Sequence, residues 1–340
     1  MGKLKTFIGT EFRPEIKGSK LEKEHKTYFK LSNKKYTREV KYINAICFGP
    51  KKDNVLINLE HAISGVDGIV ILYYEDIHIG WTYIQSNSDM YVIYKNGDDD
   101  EYILRPKNIY IRSCYVDEED RYWTILGEFF NFIDSWNGTV LCSPKQQTTN
   151  ESKLFQLNNS LIRASKRFSH ISIGESYVIK GMQSFEKLNK EKSYIVKSMS
   201  GIRSIVVDNE EYDKWNKKNM NSIPTLFQEK IEGCDLRVHI VNKKTFGKQS
   251  LFKEKIDYRY DKNFFNMTSL SQIDEELHEF CVDVSKYENN KLLGLDFVKN
   301  NRGYVVLEAN PSPGWSAYHN CNGIEADEFV TELLQVLKSA

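Results

Sequence analysis

Two carboxylates and one amide stand close together in the stretch GLDFVKNNRGYVVLEANPSPG, which begins at Gly294. Asp296 lies in the first apolar run of this stretch, and Glu308 and Asn310 lie in the second. Strand side chains alternate between two faces, so Glu308 and Asn310 point to the same side. A hairpin that turns at KNNRG brings Asp296 beside them. Carboxylate and amide oxygens are hard ligands that Mg²⁺ accepts, with water or nucleotide phosphates completing the octahedron.

Acidic side chains need a reason to lie in this hairpin, because strands favour β-branched and aromatic residues. Two neighbouring carboxylates repel each other, and without a cation one of them would be driven to protonate. The hairpin therefore predicts a magnesium site formed by Asp296, Glu308 and Asn310. The alternative is a solvent-facing hairpin edge whose acids have no function, and these three residues alone do not separate the two.

A candidate phosphate site follows the apolar run SYIVK, which ends at Lys197. The loop SMSGIRS offers Ser200, Gly201 and several backbone N–H groups. A lysine beside a small-residue loop suits a phosphate clamp, because it adds a point charge to a concave set of donors. A plain surface turn is the alternative, since one glycine is not a glycine-rich motif.

Two further segments suit nucleotide and phosphate binding. FQEKI can present strand backbone groups to an adenine ring between apolar neighbours, although such strands are common. In DLRVHIV, the residues Asp235, Arg237 and His239 alternate and therefore share one face. The alternative role for Arg237 is a salt bridge with Asp235 on a solvated strand.

Two histidines and two aromatic residues near these segments have open roles. His239 and His319 are candidate general bases for an incoming amine, and the alternative is that each is structural or exposed. Trp315 and Tyr318 follow the acidic hairpin in SPGWSAYH. They are expected either to form a substrate wall or to cap the helix that follows.

Apolar periodicity predicts the elements that carry these residues. Strands are predicted for GIVILYY, MYVIYKNG, EYILRP, IYIRSC, SYVIKG, SYIVK, IRSIVV and PTLFQEKI, and a hairpin for DLRVHIVNKKTFGKQSLFK. Helices are predicted for DEEDRYWTILGEFFNFIDSW, ESKLFQLNNSLIRAS, MQSFEKLNKE, SQIDEELHEFCVDVSKYEN and EADEFVTELLQVLKSA. The order indicates an α/β chain with a first domain over residues 1–145. Its Lys-rich opening, up to about residue 45, is expected to be an exposed hairpin or a mobile arm.

Composition bounds the class of protein. The 340 residues include 47 basic and 47 acidic side chains, so the formal net charge is +0. This balance argues against binding of nucleic acid or a membrane surface through bulk charge. The six cysteines lack metal-type spacing and favour reduced thiols. With no signal-peptide or membrane-helix stretch in the sequence, we expect a cytoplasmic protein.

In their order along the sequence, these segments resemble the ATP-grasp ligases. The resemblance covers about residues 145–340 and depends on Lys153 in ESKLFQ, Lys197 with its loop, FQEKIEGCDLRV and GLDFV…VLEANPSPG. Among the ATP-grasp ligases, these segments are most similar to those of the branch that includes glutathione synthetase, the RimK-like glutamate ligases and the graspetide (microviridin-type) peptide ligases. The resemblance implies an ATP-grasp fold with α+β subdomains at 146–222 and 223–340, behind an N-terminal α/β pre-ATP-grasp domain.

The resemblance also implies roles for the site residues, with ATP and Mg²⁺ as cofactors. Asp296, Glu308 and Asn310 would bind two Mg²⁺ ions that bridge the nucleotide phosphates. Arg237 and, in IDYRYD, Arg259 would face the transferred phosphate or the substrate; the alternative for Arg259 is a loop salt bridge with Asp257. The remaining ATP-binding residues are Lys153, Lys197, Ser200 and Gly201 at the phosphates, and Gln228, Glu229, Lys230 and Ile231 at the adenine hinge.

The implied activity is that of a ligase that joins a carboxylate to an amine or a hydroxyl through an acyl phosphate. A peptide or protein carboxylate is the expected substrate, held by β-augmentation at an edge that strands such as MYVIYKNG and EYILRP of the first domain would offer. A small amino-acid or dipeptide ligase, an ATP-grasp kinase and a non-catalytic nucleotide-binding module are the alternatives. The sequence leaves open the acid, the nucleophile, the choice between amide and ester, and whether the chain forms a homo-oligomer.

Two departures limit the resemblance. The phosphate loop is poor in glycine, which leaves its contacts open. The sequence after Asn310 is PSPGWSAYH rather than the Gly-Glu-Trp type of the graspetide enzymes. Peptide crosslinking is therefore not implied for this protein.

Overall fold

The computed structural model describes residues 40–77, 80–85, 90–96, 100–112, 120–147, 153–181, 184, 187–189, 191–198, 204–207, 224–250, 267–319 and 327–339. Within these ranges the fold consists of three β-sheets and the helices packed on them. None of the helices in the described ranges combines the length and apolarity needed to cross a bilayer.

The first sheet carries six strands, five of them in the order β2-β1-β5-β4-β3, with β6 paired to β5. β1 runs parallel to β2 and β5, whereas β4 is antiparallel to both β3 and β5. The strands are β1 Val40–Gly49, β2 Ile69–Tyr73, β3 Trp81–Gln85, β4 Met90–Asn96, β5 Asp100–Ile111 and β6 Thr139–Leu141. The helices of this part are α1 Asn54–Ile63, α2 Asp120–Asp134 and α3 Pro144–Gln147.

β1 is buried on both faces, which explains its continuous apolar run. Ala45 and Cys47 belong to a core cluster that includes α1, whereas Ile46 and Phe48 belong to one that includes α2. α1 begins after Asp53, whose side chain accepts a hydrogen bond from the Leu56 backbone N–H at 3.0 Å. Such N-caps satisfy backbone donors that a helix start leaves unpaired.

Several predicted elements of this part are confirmed, and two expectations need correction. GIVILYY forms β2, the hairpin forms β4 and β5, and the amphipathic helix forms α2. The separate strand IYIRSC is wrong, because β5 continues unbroken to Ile111. Pro106 lies between the part of β5 that pairs with β4 and the part that pairs with β6, where a missing N–H is tolerated. β1 starts at Val40, inside the stretch expected to be an arm.

The second sheet is antiparallel, with the strand order β10-β9-β11-β8. Its strands are β8 Ser176–Ile179, β9 Tyr194–Ser198, β10 Ser204–Val207 and β11 Thr225–Glu229, as the sequence predicted. The predicted helix MQSFEKLNKE falls on residues that are described only in part, so it stays a prediction.

The third sheet has the order β14-β13-β12-β15-β16-β7. Its strands are β7 Ile171–Ile173, β12 Cys234–Val241, β13 Lys244–Gln249, β14 Thr268–Ser269, β15 Leu292–Asn300 and β16 Gly303–Asn310. Helix α4, Lys153–Gln156, continues through the π-helical turn Leu157–Leu161 into α5, Ile162–Ser165. The helices that follow are α6 Glu275–Tyr287 and α7 Glu328–Lys338. The predicted hairpins and the two later helices are confirmed.

The two faces of β12 have different surroundings. Leu236, Val238 and Ile240 pack in one core cluster with residues of α6 and of the helix that begins with α4. Arg237 and His239 alternate with them and point to the opposite face. Helix α7 lies on that opposite side, between the third sheet and the first.

Candidate active site

Four strands of the third sheet place a row of charged side chains on one face. The backbone register pairs Lys248 with Arg237, Arg237 with Asp296, and Asp296 with Glu308. Directly paired residues of antiparallel strands point to the same face. The row, which we call the charged row, therefore runs Lys–Arg–Asp–Glu across β13, β12, β15 and β16.

The next pairs along these strands are Phe246 with His239, His239 with Gly294, and Gly294 with Asn310. Gly294 makes room for the guanidinium of Arg237. A Cβ added there would lie 2.2 Å from Arg237 Nη2 and 2.8 Å from the Cβ of Pro313. Asn310 is two residues from Glu308 and shares its face, so the acidic hairpin presents all three predicted metal ligands together.

A β-bulge creates this arrangement. Asp296 pairs with Glu308, but Phe297 pairs with Val306, so Leu307 is an extra residue on β16. Bulges leave the extra residue outside the regular ladder. The carbonyl of Leu307 accepts a long hydrogen bond, 3.4 Å, from the side-chain amide of Gln228. Gln228 thus connects the second sheet to the acidic hairpin.

Arg237 is the central cation of the charged row. Its Nη1 lies 2.7 Å from Asp296 Oδ2, and its Nε donates to His239 Nε2 at 3.2 Å. Only 4% of Arg237 is exposed. The alternative of a solvated strand for Arg237 is therefore wrong. The ring of Tyr318 adds a cation–π contact, 5.8 Å from Arg237 Cζ to the ring centroid.

Two buried imidazoles continue from Arg237. His239 Nδ1 lies 2.9 Å from His319 Nε2, and His319 Nδ1 lies 2.8 Å from Asp327 Oδ2. Burial, followed by the charge of Arg237, holds the pKa of His239 well below its usual value. Burial also lowers the pKa of His319, against the opposing effect of the hydrogen bond that it donates to Asp327. Both rings are therefore neutral at neutral pH, and His239 is fully enclosed.

Trp315 is part of the core, so the substrate wall predicted for it is wrong. Its indole is fully buried, packs on Phe329 of α7 with ring centroids 5.5 Å apart, and donates to the Tyr110 hydroxyl at 3.1 Å. A residue of the first sheet thus holds the segment that follows the acidic hairpin. The ring of Tyr318 instead meets the edge of His239, with centroids 5.1 Å apart.

The PSPG segment after Asn310 is fixed at both ends. The Asn310 side-chain oxygen accepts from the Ser312 backbone N–H at 2.9 Å. Arg112, at the end of β5, donates from Nη1 to Ser312 Oγ at 2.9 Å and to the Pro313 carbonyl at 3.0 Å. Arg112 also pairs with Asp53, 3.2 Å from Nη2 to Oδ2. The first sheet therefore positions the loop that begins at Asn310.

The donor set of the acidic hairpin fits a divalent cation that also binds a phosphate. Within the ranges described above, no group of three His, Cys, Asp or Glu side chains is placed to hold a metal by itself. The hairpin offers two carboxylates and one amide oxygen, and Arg237 already neutralises part of the charge of Asp296. Mg²⁺ in such sites keeps several water or phosphate ligands, so three protein oxygens suffice.

The predicted adenine hinge lies where the chain passes from the second sheet to the third. The backbone N–H groups of Glu229 and Lys230 donate to the carbonyls of Glu175 at 2.8 Å and Ser193 at 2.9 Å. These two donors are therefore engaged in the sheet. Adenine recognition at this hinge would have to use other backbone groups, such as those of Ile231.

A comparison with known protein families shows the family of this chain. A model of the RimK-like ATP-grasp domain matches residues 160–334, just over half of the 340 residues. The chain belongs to the RimK-like ATP-grasp family. The match confirms the resemblance to the ATP-grasp ligases that the order of the sequence segments indicated.

Curated relatives of this RimK-like ATP-grasp chain are glutamate ligases. It is 29% identical over 100 residues to the coenzyme gamma-F420-2:alpha-L-glutamate ligase of Methanocaldococcus jannaschii, covering 29% of this chain and 34% of the relative. It is 22% identical over 113 residues to the ribosomal protein bS6–L-glutamate ligase of Escherichia coli, covering 33% and 38%. The chain thus spans only about a third of the length of either relative.

Solved structures of other ATP-grasp proteins show the same fold. The RiPP-associated ATP-grasp ligase of Chryseobacterium gregarium, in complex with ADP and a leader and core peptide, has a TM-score of 0.69 at 14% identity, over 87% of this chain and 96% of its own. The macrocyclase MdnC of Microcystis aeruginosa, bound with precursor peptide MdnA, has a TM-score of 0.66 at 15% identity, over 87% and 100%. These likenesses confirm the predicted ATP-grasp fold, and the 87% coverage means that they extend beyond the matched family domain.

The other site residues predicted for this RimK-like ATP-grasp chain are described in part or not at all. Lys153 is the first residue of α4 and Lys197 lies in β9, where the backbone alone is described. Ser200, Gly201 and Arg259 lie outside the described residues.

Sequence reasoning missed Lys248 and Asp327. Counting the register of the β12–β13 hairpin across Asn242 and Lys243 would have placed Lys248 opposite Arg237. Asp327 is recognisable from the sequence only as a helix N-cap, and nothing in the pattern indicates that it meets His319.

Proposed function

We propose that this protein is an ATP-dependent ligase that phosphorylates a carboxylate and transfers the acyl group to an amine or a hydroxyl. ADP and phosphate are the other products. The observation that carries the proposal is the charged row of a RimK-like ATP-grasp chain, in which Arg237 pairs with Asp296 directly opposite Glu308.

Asp296, Glu308 and Asn310 are the residues that hold Mg²⁺ in this proposal. When bound, Mg²⁺ neutralises charge on the phosphoryl oxygens that react. The Asn310 oxygen keeps a second lone pair for a ligand while it accepts from Ser312. Its contact with the PSPG segment fixes the direction of that lone pair.

Arg237 and Lys248 are the cations that face the reacting phosphoryl group. A guanidinium held in place stabilises the charge that develops on the transferred group and on the oxyanion formed as the nucleophile attacks. Lys248, directly opposite Arg237 in the register, adds a second positive charge to the same end of the row. Arg259 is proposed, from the family resemblance, to lie near the substrate or the phosphate.

The remaining residues are proposed to bind the nucleotide. Lys153 and Lys197 contact phosphates, and Ser200 and Gly201 cover them. Gln228 and the hinge residues Glu229, Lys230 and Ile231 enclose the adenine ring, with the carbonyls and the Ile231 N–H as its hydrogen-bonding groups. The position of the hinge between β11 of the second sheet and β12 of the third supports this placement, because a nucleotide bound there would lie close to residues of both sheets.

The proposed mechanism requires no protein nucleophile. Cys47, Cys142 and Cys281 are buried among the described residues. Burial raises the pKa of the Cys142 thiol to about 12, so it remains protonated at neutral pH. A buried, protonated thiol is inert as a nucleophile.

The proposed substrate is a peptide carboxylate. The Chryseobacterium gregarium ligase and MdnC are solved with peptides bound, and the fold that they share with this protein extends over 87% of its chain. The docking edge expected at β4 and β5 is wrong, because both strands lie inside the first sheet; the edge in the described part of that sheet is β3, the terminal strand of its order. An added peptide strand pairs with such an edge through main-chain hydrogen bonds. The curated relatives favour a second candidate, ligation of free L-glutamate.

The test is formation of a hydroxamate. Purified protein is incubated with ATP, Mg²⁺ and hydroxylamine, and with either a synthetic peptide rich in Asp and Glu or free L-glutamate. We expect hydroxamate on the peptide, dependent on both ATP and Mg²⁺. Hydroxamate only on free glutamate selects the second candidate with glutamate as the activated acid, and a phosphorylated hydroxyl product identifies a kinase instead. If glutamate supplies the amine, the reaction without hydroxylamine should give peptide that carries added glutamate.

A matched pair of variants tests the assignment of the acidic hairpin. Glu308→Gln is expected to lower turnover by about 10²-fold or more, by analogy with the loss of one charge-stabilising group, while the thermal unfolding curve stays unchanged. Glu279→Gln, on the exposed side of α6, is the control and should retain full turnover. Equal turnover of the two variants would contradict the metal assignment.

A further inference from the structure

The charged row is connected to the start of α7 by buried side chains. Arg237, already paired with Asp296, donates to His239, which contacts His319, which contacts Asp327 at 2.8 Å. We call His239 and His319 the imidazole bridge. It links a strand of the third sheet to the N-terminus of a helix that packs against the first sheet.

Only one set of tautomers satisfies every contact of the bridge. A guanidinium has donors and no acceptor, so His239 Nε2 must accept from Arg237. Its Nδ1 then carries the proton and donates to His319 Nε2. His319 Nδ1 in turn carries a proton, which it donates to the carboxylate of Asp327. A permanent cation at one end and a carboxylate at the other fix the direction of every hydrogen bond between them.

The electrostatics agree with this assignment. Burial keeps the pKa of both imidazoles below the usual histidine value, so each ring carries one proton at neutral pH. Burial alone would raise the pKa of Asp327, but the hydrogen bond from His319 lowers it overall. Asp327 is therefore ionised and available as the terminal acceptor.

Packing fixes the two rings of the bridge. The His319 ring stacks on Phe329, with centroids 4.0 Å apart and planes within 12°. The His239 ring meets Phe329 at 5.4 Å and Tyr318 at 5.1 Å. On the other side, the guanidinium fills the space left by the missing side chain of Gly294.

We infer that His239, His319 and Asp327 are positioning residues that fix the orientation of the Arg237 guanidinium. The inference rests on the proposed function, which assigns Arg237 to the transferred phosphoryl group. Asp296, the other partner of Arg237, is also a proposed metal ligand, so its hold on the guanidinium changes when a cation binds. The imidazole bridge contacts Arg237 at Nε, whereas Asp296 contacts Nη1, so the bridge holds the guanidinium in both states.

The first experiment observes the tautomers directly. Long-range proton–nitrogen NMR spectra of histidine-labelled protein distinguish the tautomers of each ring among the seven histidines. Two rings should show protonated Nδ1 and unprotonated Nε2, and the signals missing from His239→Gln and His319→Gln assign them. The opposite tautomer, or a doubly protonated ring, at neutral pH would overturn the inference whatever the enzyme catalyses.

The second experiment, Asp327→Asn, replaces the hydrogen-bond acceptor at the end of the bridge with a donor. Asparagine caps helices as well as aspartate does, so its oxygen can still accept from Val330 N–H. Its NH₂ then donates to His319 Nδ1, so the proton of each imidazole moves from Nδ1 to Nε2. The Nε2–H of His239 would then face the Nε–H of Arg237, and two donors would oppose each other. Since the guanidinium would lose the hydrogen bond that fixes Nε, we expect kcat for ADP release to fall by about 10²-fold, with the KM for ATP within about threefold.

Asp274→Asn is the matched control. Asp274 caps α6 by accepting from Leu277 N–H at 2.8 Å, and its other oxygen accepts from the Tyr304 hydroxyl. The same chemical change at a helix start, on a side chain that bonds to Leu277 and Tyr304 and not to a histidine ring, should leave kcat within about twofold. If Asp327→Asn also keeps its kcat while Glu308→Gln loses turnover, the positioning role fails and the proposed ligase function stands.

Discussion

Arg112 and Arg237 are both buried and both paired with an aspartate, but they lie in different regions and contact different kinds of groups. They are 6% and 4% exposed. Arg112 joins Asp53, the N-cap of α1, to Ser312 and the Pro313 carbonyl. Asp53 caps the start of a helix, and Ser312 and Pro313 belong to a loop.

Arg237, by contrast, contacts groups that can change their protonation or their ligands. It lies between Asp296 and His239 and directly opposite Lys248 in the register. A buried cation bonded to backbone and caps joins two parts of a fold. A buried cation within a row of ionisable groups is placed for chemistry, so equal burial does not mean equal function.

The largest expected effect on stability follows from Arg112→Met. Removing one partner of a buried ion pair leaves Asp53 and the Pro313 carbonyl without their cation, which typically costs about 3–5 kcal/mol. Urea unfolding should show this loss, while kcat per folded molecule falls less than in Arg237→Lys, because the Ser312 N–H can still donate to Asn310. Arg163→Met, at an exposed position, is the control and should change the free energy of unfolding by less than about 0.5 kcal/mol. A variant that loses turnover at unchanged stability would remove the distinction between the two arginines.

Arg237→Lys should show the opposite pattern. Lysine keeps the charge near Asp296 but lacks the planar fork that also reaches His239. We expect kcat to fall by about 10²- to 10³-fold, equivalent to about 2.7–4 kcal/mol, with little change in the melting temperature. Steady-state kinetics measure the effect, and Arg167→Lys, whose side chain is 58% exposed, is the control. Turnover near that of the wild type would show that Arg237 acts as a structural charge, as Arg112 does.

The smallest effect is a pH dependence of stability that comes from the two histidines of the Arg237 region. His239 and His319 have lowered pKa values, so the unfolded state binds more protons than the native state below about pH 6.5. The free energy of unfolding should therefore fall with decreasing pH, by up to about 1.4 kcal/mol per unit for each ring. Arg237 and Lys248 add to this by opposing protonation.

Urea unfolding at a series of pH values measures this slope. His319→Phe should reduce this slope by the contribution of one ring, up to about 1.4 kcal/mol per pH unit, and His170→Gln, at an exposed position, is the control. An identical slope in His319→Phe and the wild type would contradict the neutral, buried state of the bridge.

The sequence predicted that Asp296 lies beside Glu308 and Asn310, but it did not show the β-bulge that brings them to one face. A regular hairpin with Asn301 and Arg302 at its turn would place Leu307 opposite Asp296, and Glu308 would then face the helices. The bulge at Leu307 shifts the alternation by one residue and returns Glu308 to the face of Asp296. Bulges depend on tertiary contacts, and no pattern in GYVVLEAN announces this one.

Local periodicity predicted β2, β4, α2, α6 and α7, because each has an apolar face with a clear period. It failed where a residue has no local signal. Arg112 meets Ser312 across 200 positions of sequence, and His239 meets His319 across 80. Such pairs exist only after the sheets are assembled. The domain boundaries near 145 and 222, and the roles of Lys153 and Lys197, stay predictions.

The placement of α7 has a consequence for synthesis on the ribosome. Leu333 and Leu337 complete the apolar cluster that contains Ala45 and Cys47, and Asn108 bonds the carbonyl of Leu337 from 229 residues earlier. Domains usually fold from the N-terminus as they emerge. Here the earliest strands must wait, with part of their apolar surface uncovered, until translation reaches α7. We therefore expect the uncovered apolar surface of nascent chains to bind chaperones until α7 has been made.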